Sequence, residues 1–238
     1  MATYSFETSS PVKLYIELRN GDAEIDATET TTSSIRIDGR DADKVEVVQV
    51  DDEIRIIQPK QHGFSFFESS IEVAVTVPTG SQLMMRTGSG DLATHGELKA
   101  VQVKTGSGDV SLDRITELVS IRSGSGDVVV NSAKGRIEVT SGSGDIVVHD
   151  SDGDIDIKTG SGDVSIDRAL RGRLSTTSGS GDLSVGVVAG VPVWTDIVVS
   201  PAGGVHSSLK GAGRPAPGQD HLEIRARSGS GDVTLIEV

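Results

Sequence analysis

The amino-acid sequence predicts an all-β protein, a β-solenoid related to parallel β-helices and built from two-strand coils of roughly 18 residues. Three observations predict it: a Gly-Ser-Gly-Asp motif recurring at fixed spacing, apolar-polar alternation on both sides of that motif, and a composition of 29 glycines and only 3% aromatic residues.

The motif ends at Asp91, Asp109, Asp127, Asp145, Asp163, Asp182 and Asp232, with successive differences of 18, 18, 18, 18, 19 and 50. In that register Leu83, Val101, Val119, Ile137, Ile155, Leu174 and Ile224 form one aliphatic column, and Met85, Val103, Ile121, Val139 and Ile157 form a second two residues on. The residues between them, such as Gln102, Ser120, Glu138 and Asp156, are polar, which is the period of a strand with one buried face. After the glycines the alternation resumes in Val110 and Leu112, Val128 and Val130, Ile146 and Val148, and Val164 and Ile166, so each unit holds two strands. Four inward aliphatics cannot make a core alone, and coils must stack on one another.

The chain divides into 1–82, an amino-terminal β region of degenerate coils and cap; 83–185, the regular coils; and 186–238, a divergent coil with an insertion and a final repeat. The three are expected to form one continuous elongated domain. Asn20-Gly21-Asp22 reads as a degenerate first turn, and Pro78-Thr79-Gly80 as a strand end, since proline cannot donate to a ladder. Val193 to Val199 reads as a strand, Pro201 to Val205 as a substitute turn, and the glycine- and proline-rich stretch from Gly211 to Gln219 as a loop.

A net charge of -13 disfavours nucleic acid as a partner. The absence of cysteine excludes disulfides, thiolate metal sites and cysteine nucleophiles. No segment has the length and apolarity of a membrane span or the pattern of a signal peptide, so the sequence as written is expected to be cytoplasmic, and envelope-associated if it is a trimmed chain.

The repeated Ser/Thr-Gly-Ser-Gly-Asp-Val, the preceding Val77-Pro78-Thr79-Gly80 and the Asn20-Gly21-Asp22 start resemble the bacterial candidate-adhesin family of Gly-Ser-Gly-Asp β-strand-repeat proteins, a domain of unknown function (DUF4097). The resemblance covers most of the chain. It implies a β-solenoid with surface or envelope roles, many members being membrane-linked or exported, and supplies no catalytic residues.

The column Asp91, Asp109, Asp127, Asp145, Asp163, Asp182 and Asp232 is a candidate turn-capping row or calcium ladder. Calcium β-rolls space their aspartates differently, and one carboxylate per coil is few for an ion wanting six to eight oxygens, so capping is the preferred reading. Five residues earlier lie Arg86, Lys104, Arg122, Lys158 and Arg227, interrupted by Thr140 and Thr177, a basic row expected to neutralise the acidic one. His95, Asp113, Asn131, His149 and Asp167 share an outward column with two prospective His-Asp neighbours and no defined third ligand. Phe64, Phe66 and Phe67, with Trp194, are a candidate partner patch, the phenylalanines more readily plugging the end of the core.

These features point to a non-enzymatic scaffold presenting ladder surfaces to a protein or cell-envelope component, without cofactor or metal. A calcium-binding module is the alternative, and a carbohydrate-active β-helix enzyme a weaker one, because the coils lack loops to wall a cleft. Asp232 to Val238 supplies a strand with no cap after it, and an uncovered edge there is expected to pair with a second copy in a homodimer unless residues around Trp194 and 200–222 fold across it.

Overall fold

The structure, a computed structural model, describes residues 1–59, 70–209 and 221–238. Its strands in chain order are β1 (Ala2–Glu7), β2 (Lys13–Thr28), β3 (Thr32–Asp38), β4 (Glu46–Val50), β5 (Glu53–Ile57), β6 (Ile71–Pro78), β7 (Gln82–Ser89), β8 (Leu92–Ser107), β9 (Val110–Ser125) and β10 (Val128–Ala133). They continue as β11 (Arg136–Ser143), β12 (Ile146–Ser151), β13 (Ile155–Ser161), β14 (Val164–Ala169), β15 (Gly172–Ser180), β16 (Leu183–Val187), β17 (Val193–Val199), β18 (Val205–Ser207), β19 (Leu222–Ser228) and β20 (Val233–Glu237). A single 3-10 turn, Ala42–Lys44, is the helical element among the described residues.

The fold is a β-solenoid in which each coil has two limbs. On the first limb Leu83, Val101, Val119, Ile137, Ile155, Leu174 and Ile224 lie in parallel register from coil to coil. On the second limb Leu92, Val110, Val128, Ile146, Val164, Leu183 and Val233 do the same. Both columns are buried, with Val128, Val130, Ile137, Ile146 and Val148 wholly inaccessible. A one-residue slip would turn every aliphatic outward, so the alternation fixes the register.

Order along the stack departs from order along the chain at both ends. β2 forms a whole coil, and it lies between two later ones: Lys13 pairs with Glu53 of β5 on one side and with Gln82 of β7 on the other. Its second half is flanked likewise by β6 and β8. The coil of β5 and β6 is therefore outermost, and its edge is covered by antiparallel strands, β4 on β5 and β3 on β6, with β1 beyond β3. Antiparallel strands end the parallel repeat there and turn its register away from further coils.

The carboxy-terminal end is threaded in the same way, which corrects the expectation that Asp232 to Val238 is the uncovered edge. β19 and β20 pair with β15 and β16 on one side and with β17 and β18 on the other. The outermost strands are β17 and β18, in the segment expected as the alternative cap. The premise of pairing through β20 is removed.

Candidate functional site

The aspartate row is a chain of coil-to-coil hydrogen bonds. Oδ1 of Asp22 accepts from the backbone N–H of Asp91 at 2.9 Å, and Oδ1 of Asp91 accepts from N–H of Asp109 at 2.8 Å. The pattern repeats through Asp127, Asp145, Asp163, Asp182 and Asp232, each bond at 2.8 Å. Asp232 Oδ1 accepts from N–H of Gly204 at 2.7 Å, so the divergent coil joins the row through backbone alone. In return each later aspartate offers its carbonyl to the coil before it, as in Val110 N–H to Asp127 O at 2.9 Å. The side chain thus caps the neighbouring coil's turn. Repulsion between carboxylates about 4.8 Å apart is only about 0.9 kcal/mol in water, and a hydrogen bond to a charged acceptor, about 1.5–3 kcal/mol, offsets it.

Two further rows hold the same corner. Thr105, Ser123, Ser141 and Thr159 turn inward and donate their hydroxyls to the carbonyl two residues on, at 2.8–3.1 Å. That bond requires a hydroxyl at the position preceding the first glycine. The second glycine of the motif has φ between +109° and +140° from Gly90 to Gly181, and a Cβ on Gly126 would stand 2.3 Å from the carbonyl oxygen of Gly108. Only glycine fits that turn.

The basic row is a row in space: Arg86, Lys104, Arg122, Thr140 and Lys158 are successive register partners on the outward face of the first limb, followed by Thr177 and Arg227. No ion pair among the described residues joins it to the aspartates, and none reaches Arg86, Lys104 or Arg122. Two acids lie beside it: Glu17, in register with Arg86, accepts the Tyr15 hydroxyl at 2.6 Å, and Glu138, in register with Ser120, holds Arg136 at 2.6 Å. Arg86, Lys104 and Arg122, with Met84, Gln102 and Ser120, line a shallow groove of about 190 Å³.

The two histidines of the outward column behave differently. His149 Nδ1 lies 2.6 Å from Asp167 Oδ2, and that hydrogen bond holds the Asp167 carboxyl below its ordinary pKa. His95 does not face Asp113, whose carboxylate takes the Gly96 N–H at 2.9 Å; it faces Glu24 at 3.4 Å. β8 bulges between Ala93 and Glu97, and β2 lies alongside, so Glu24, Asp26 and His95 bring donor atoms within 4.8 Å of one another. These are the described residues that could hold a metal. All three are at least partly exposed, and β2 supplies two of them, Asp26 and Glu24, from 69 and 71 residues away in sequence, where no local spacing reveals them.

Trp194 is 37% exposed on β17, with the Arg225 guanidinium 5.6 Å from its ring centroid. Glu223, between Arg173 at 3.0 Å and Arg225 at 2.7 Å, is raised in pKa by burial, but the two guanidiniums outweigh it and its net shift is downward. Phe64, Phe66 and Phe67, and the stretch from Gly211 to Gln219, lie outside the described residues. No helix among the described residues is long and apolar enough to cross a membrane.

Comparison with known proteins agrees with this architecture. The Toastrack DUF4097 family model matches residues 12–235. No curated protein matches the chain. Among solved structures, a candidate adhesin of Bacteroides fragilis is similar at TM-score 0.59 and 15% identity, covering 99% of this chain and 96% of its own. A candidate adhesin of Parabacteroides merdae gives 0.57 at 13%, covering 100% and 95%, and a candidate lipid-binding protein of Parabacteroides distasonis gives 0.56 at 14%, covering 99% and 96%. At such identities the likeness is one of fold.

Proposed function

This chain belongs to the Toastrack DUF4097 family, and from that premise we propose that it is a non-enzymatic scaffold that binds another macromolecule, a protein or cell-envelope component, through the flat outward faces of its coils. The observation that carries this reading is the unbroken row of coil-to-coil bonds from Asp22 to Gly204, which holds the outward residues of both limbs as a fixed grid. It also commits one oxygen of every aspartate in the row to structure, which weighs against the calcium alternative. The names given to the structural relatives, adhesins in two cases, support a binding role at the surface.

The test is to label the protein and measure binding to envelope preparations of its native host, with one face blocked at a time. Ser120→Trp obstructs the first limb and Ser165→Trp the second, each at a partly buried outward position. Loss of binding with one variant and not the other is expected. Binding that neither variant reduces, with the fold intact by circular dichroism, would sink the reading.

A further inference from the structure

The outward column of the second limb holds two histidines in different company. His149 shares its Nδ1 with Asp167 in a hydrogen bond of 2.6 Å, too short to admit an ion between the two atoms, and no further histidine or carboxylate joins them among the described residues. His95 breaks from that pattern. The bulge in β8 between Ala93 and Glu97 leaves Asp113 on the Gly96 N–H, and His95 lies instead beside its register partner Asp26 of β2. Glu24 is two residues from Asp26 on the same outward face. Bulges re-aim side chains in this way. The third ligand that the column lacks in sequence comes from another strand.

We propose that Glu24, Asp26 and His95 bind a zinc-type divalent cation, with water in a fourth, open position. This site is separate from the scaffold reading and stands whether or not the coils bind a macromolecule. Spacing supports it first. Nε2 of His95 lies 3.4 Å from Oε1 of Glu24. Two ligands about 2.05 Å from zinc at the tetrahedral angle are about 3.3 Å apart, so these two atoms already stand as one edge of a coordination shell. Asp26 brings a carboxylate oxygen within 4.8 Å of both, and the broad terminal torsion of a partly exposed aspartate closes that gap.

Donor chemistry selects the ion. Calcium and magnesium take about six to eight oxygens, whereas this set supplies one imidazole nitrogen and two carboxylates, which suits zinc and its transition-metal neighbours. Access is also provided. Ala74 of β6 and Ala93 of β8 flank Glu24 in register, and the three line a groove of about 310 Å³. Methyl side chains leave the carboxylate room to turn and leave the fourth position to solvent. Arg36, across Ala74 from Glu24, is held by Asp38 at 3.2 Å, and Asp26 makes no hydrogen bond or ion pair with any described residue. Neither carboxylate has to be taken from another cation.

The experiment titrates the full chain with zinc, calcium and magnesium chlorides separately, by calorimetry at constant ionic strength. Zinc is expected to bind, to raise the melting temperature until chelator is added, and to be displaced by neither of the other ions. His95→Gln, Glu24→Gln and Asp26→Asn should each weaken zinc binding by about tenfold or more, since losing even a group that only orients a ligand costs that much. These side chains are at least partly exposed, so without zinc the variants should melt as the parent does. His149→Gln should leave the affinity unchanged. Cobalt(II) in place of zinc should show the intense visible absorption of four-coordinate geometry, lost in His95→Gln. No zinc binding, calcium bound as tightly as zinc, or a weak six-coordinate cobalt spectrum would overturn the proposal. So would a zinc affinity unchanged in His95→Gln, or one reduced equally in His149→Gln.

Discussion

An interior coil, β11 with β12, and the outermost coil, β17 with β18, are built from similar residues and differ in what supports them. In the first, Ile137, Val139, Ile146 and Val148 are at most 1% exposed, with a coil on each side. In the second, Val205, which continues the inward column of Ile146 and Val233, is 47% exposed, with a coil on one side only. Burial in a solenoid comes from neighbours more than from sequence, so equal substitutions should have unequal effects at the two places.

The largest contrast should come from a buried charge. Val128→Asp places a carboxylate at a position with no accessible surface and is expected to cost about 4 kcal/mol or more, whereas Val205→Asp, in the same column of the outermost coil, should cost about 1 kcal/mol or less in urea unfolding. Equal effects would break the comparison. Next, Gly126→Ala meets both a φ of +120° and a backbone oxygen at 2.3 Å, and about 3 kcal/mol is expected. Gly190, at φ +83° with nothing within 4 Å of a Cβ, should cost only about 1–2 kcal/mol on the same change.

A smaller effect follows from the aspartate row. Asp127→Ala deprives the Asp145 N–H of its acceptor and should cost about 1–2 kcal/mol, with Asp127→Asn milder because an amide oxygen still accepts. Asp232→Ala should act locally, seen as faster hydrogen exchange at Gly204 with little change in the global melt. Stabilisation is expected at Ser151, whose buried hydroxyl has no partner in a column otherwise of alanine and aliphatics: Ser151→Ala should gain about 0.5–1 kcal/mol.

The smallest is a titration. The hydrogen bond from His149 depresses the folded-state pKa of Asp167, so the stability it contributes is present above the unfolded carboxyl pKa and is lost as pH falls through the folded value. Both groups are 47% exposed, and the effect is better read by carboxyl-carbon NMR than by melting. His149→Ala should move the Asp167 midpoint up toward the ordinary carboxylate range; an unmoved midpoint would mean the pair does not persist in solution.

The repeat made the coils legible because each contact between them recurs at one sequence distance, 18 residues, with the same residue type at both partners. Asn20-Gly21-Asp22 was readable as a degenerate turn for the same reason, and it supplies the first carboxylate of the row. The inward hydroxyls were visible as an invariant Ser or Thr before the glycine, but the carbonyl they hold is two residues on in a bent backbone, which periodicity does not describe. The threading of both ends was hidden. Leu14 pairs with Ile54 and with Leu83, and nothing in a strand's alternation says which of several aliphatic strands will lie beside it. Glu24 and Asp26 were hidden with it, since their nearness to His95 depends on β2 lying against β8.

The threading at the carboxy-terminal end imposes an order of assembly. Before β19 docks, β15 presents an edge that matches β17 as well as β19 in direction, and β17 comes first along the chain. The native partner, β19, lies 50 residues from its contacts on β15, against 18 between interior coils. Shorter loop closure favours the nearer strand, so a state with β17 docked directly on β15 competes kinetically with the native one. Leaving it means undocking a coil, admitting β19 and β20, and docking again. Refolding is therefore expected to show a slow phase confined to probes near Trp194, while the interior coils regain protection early.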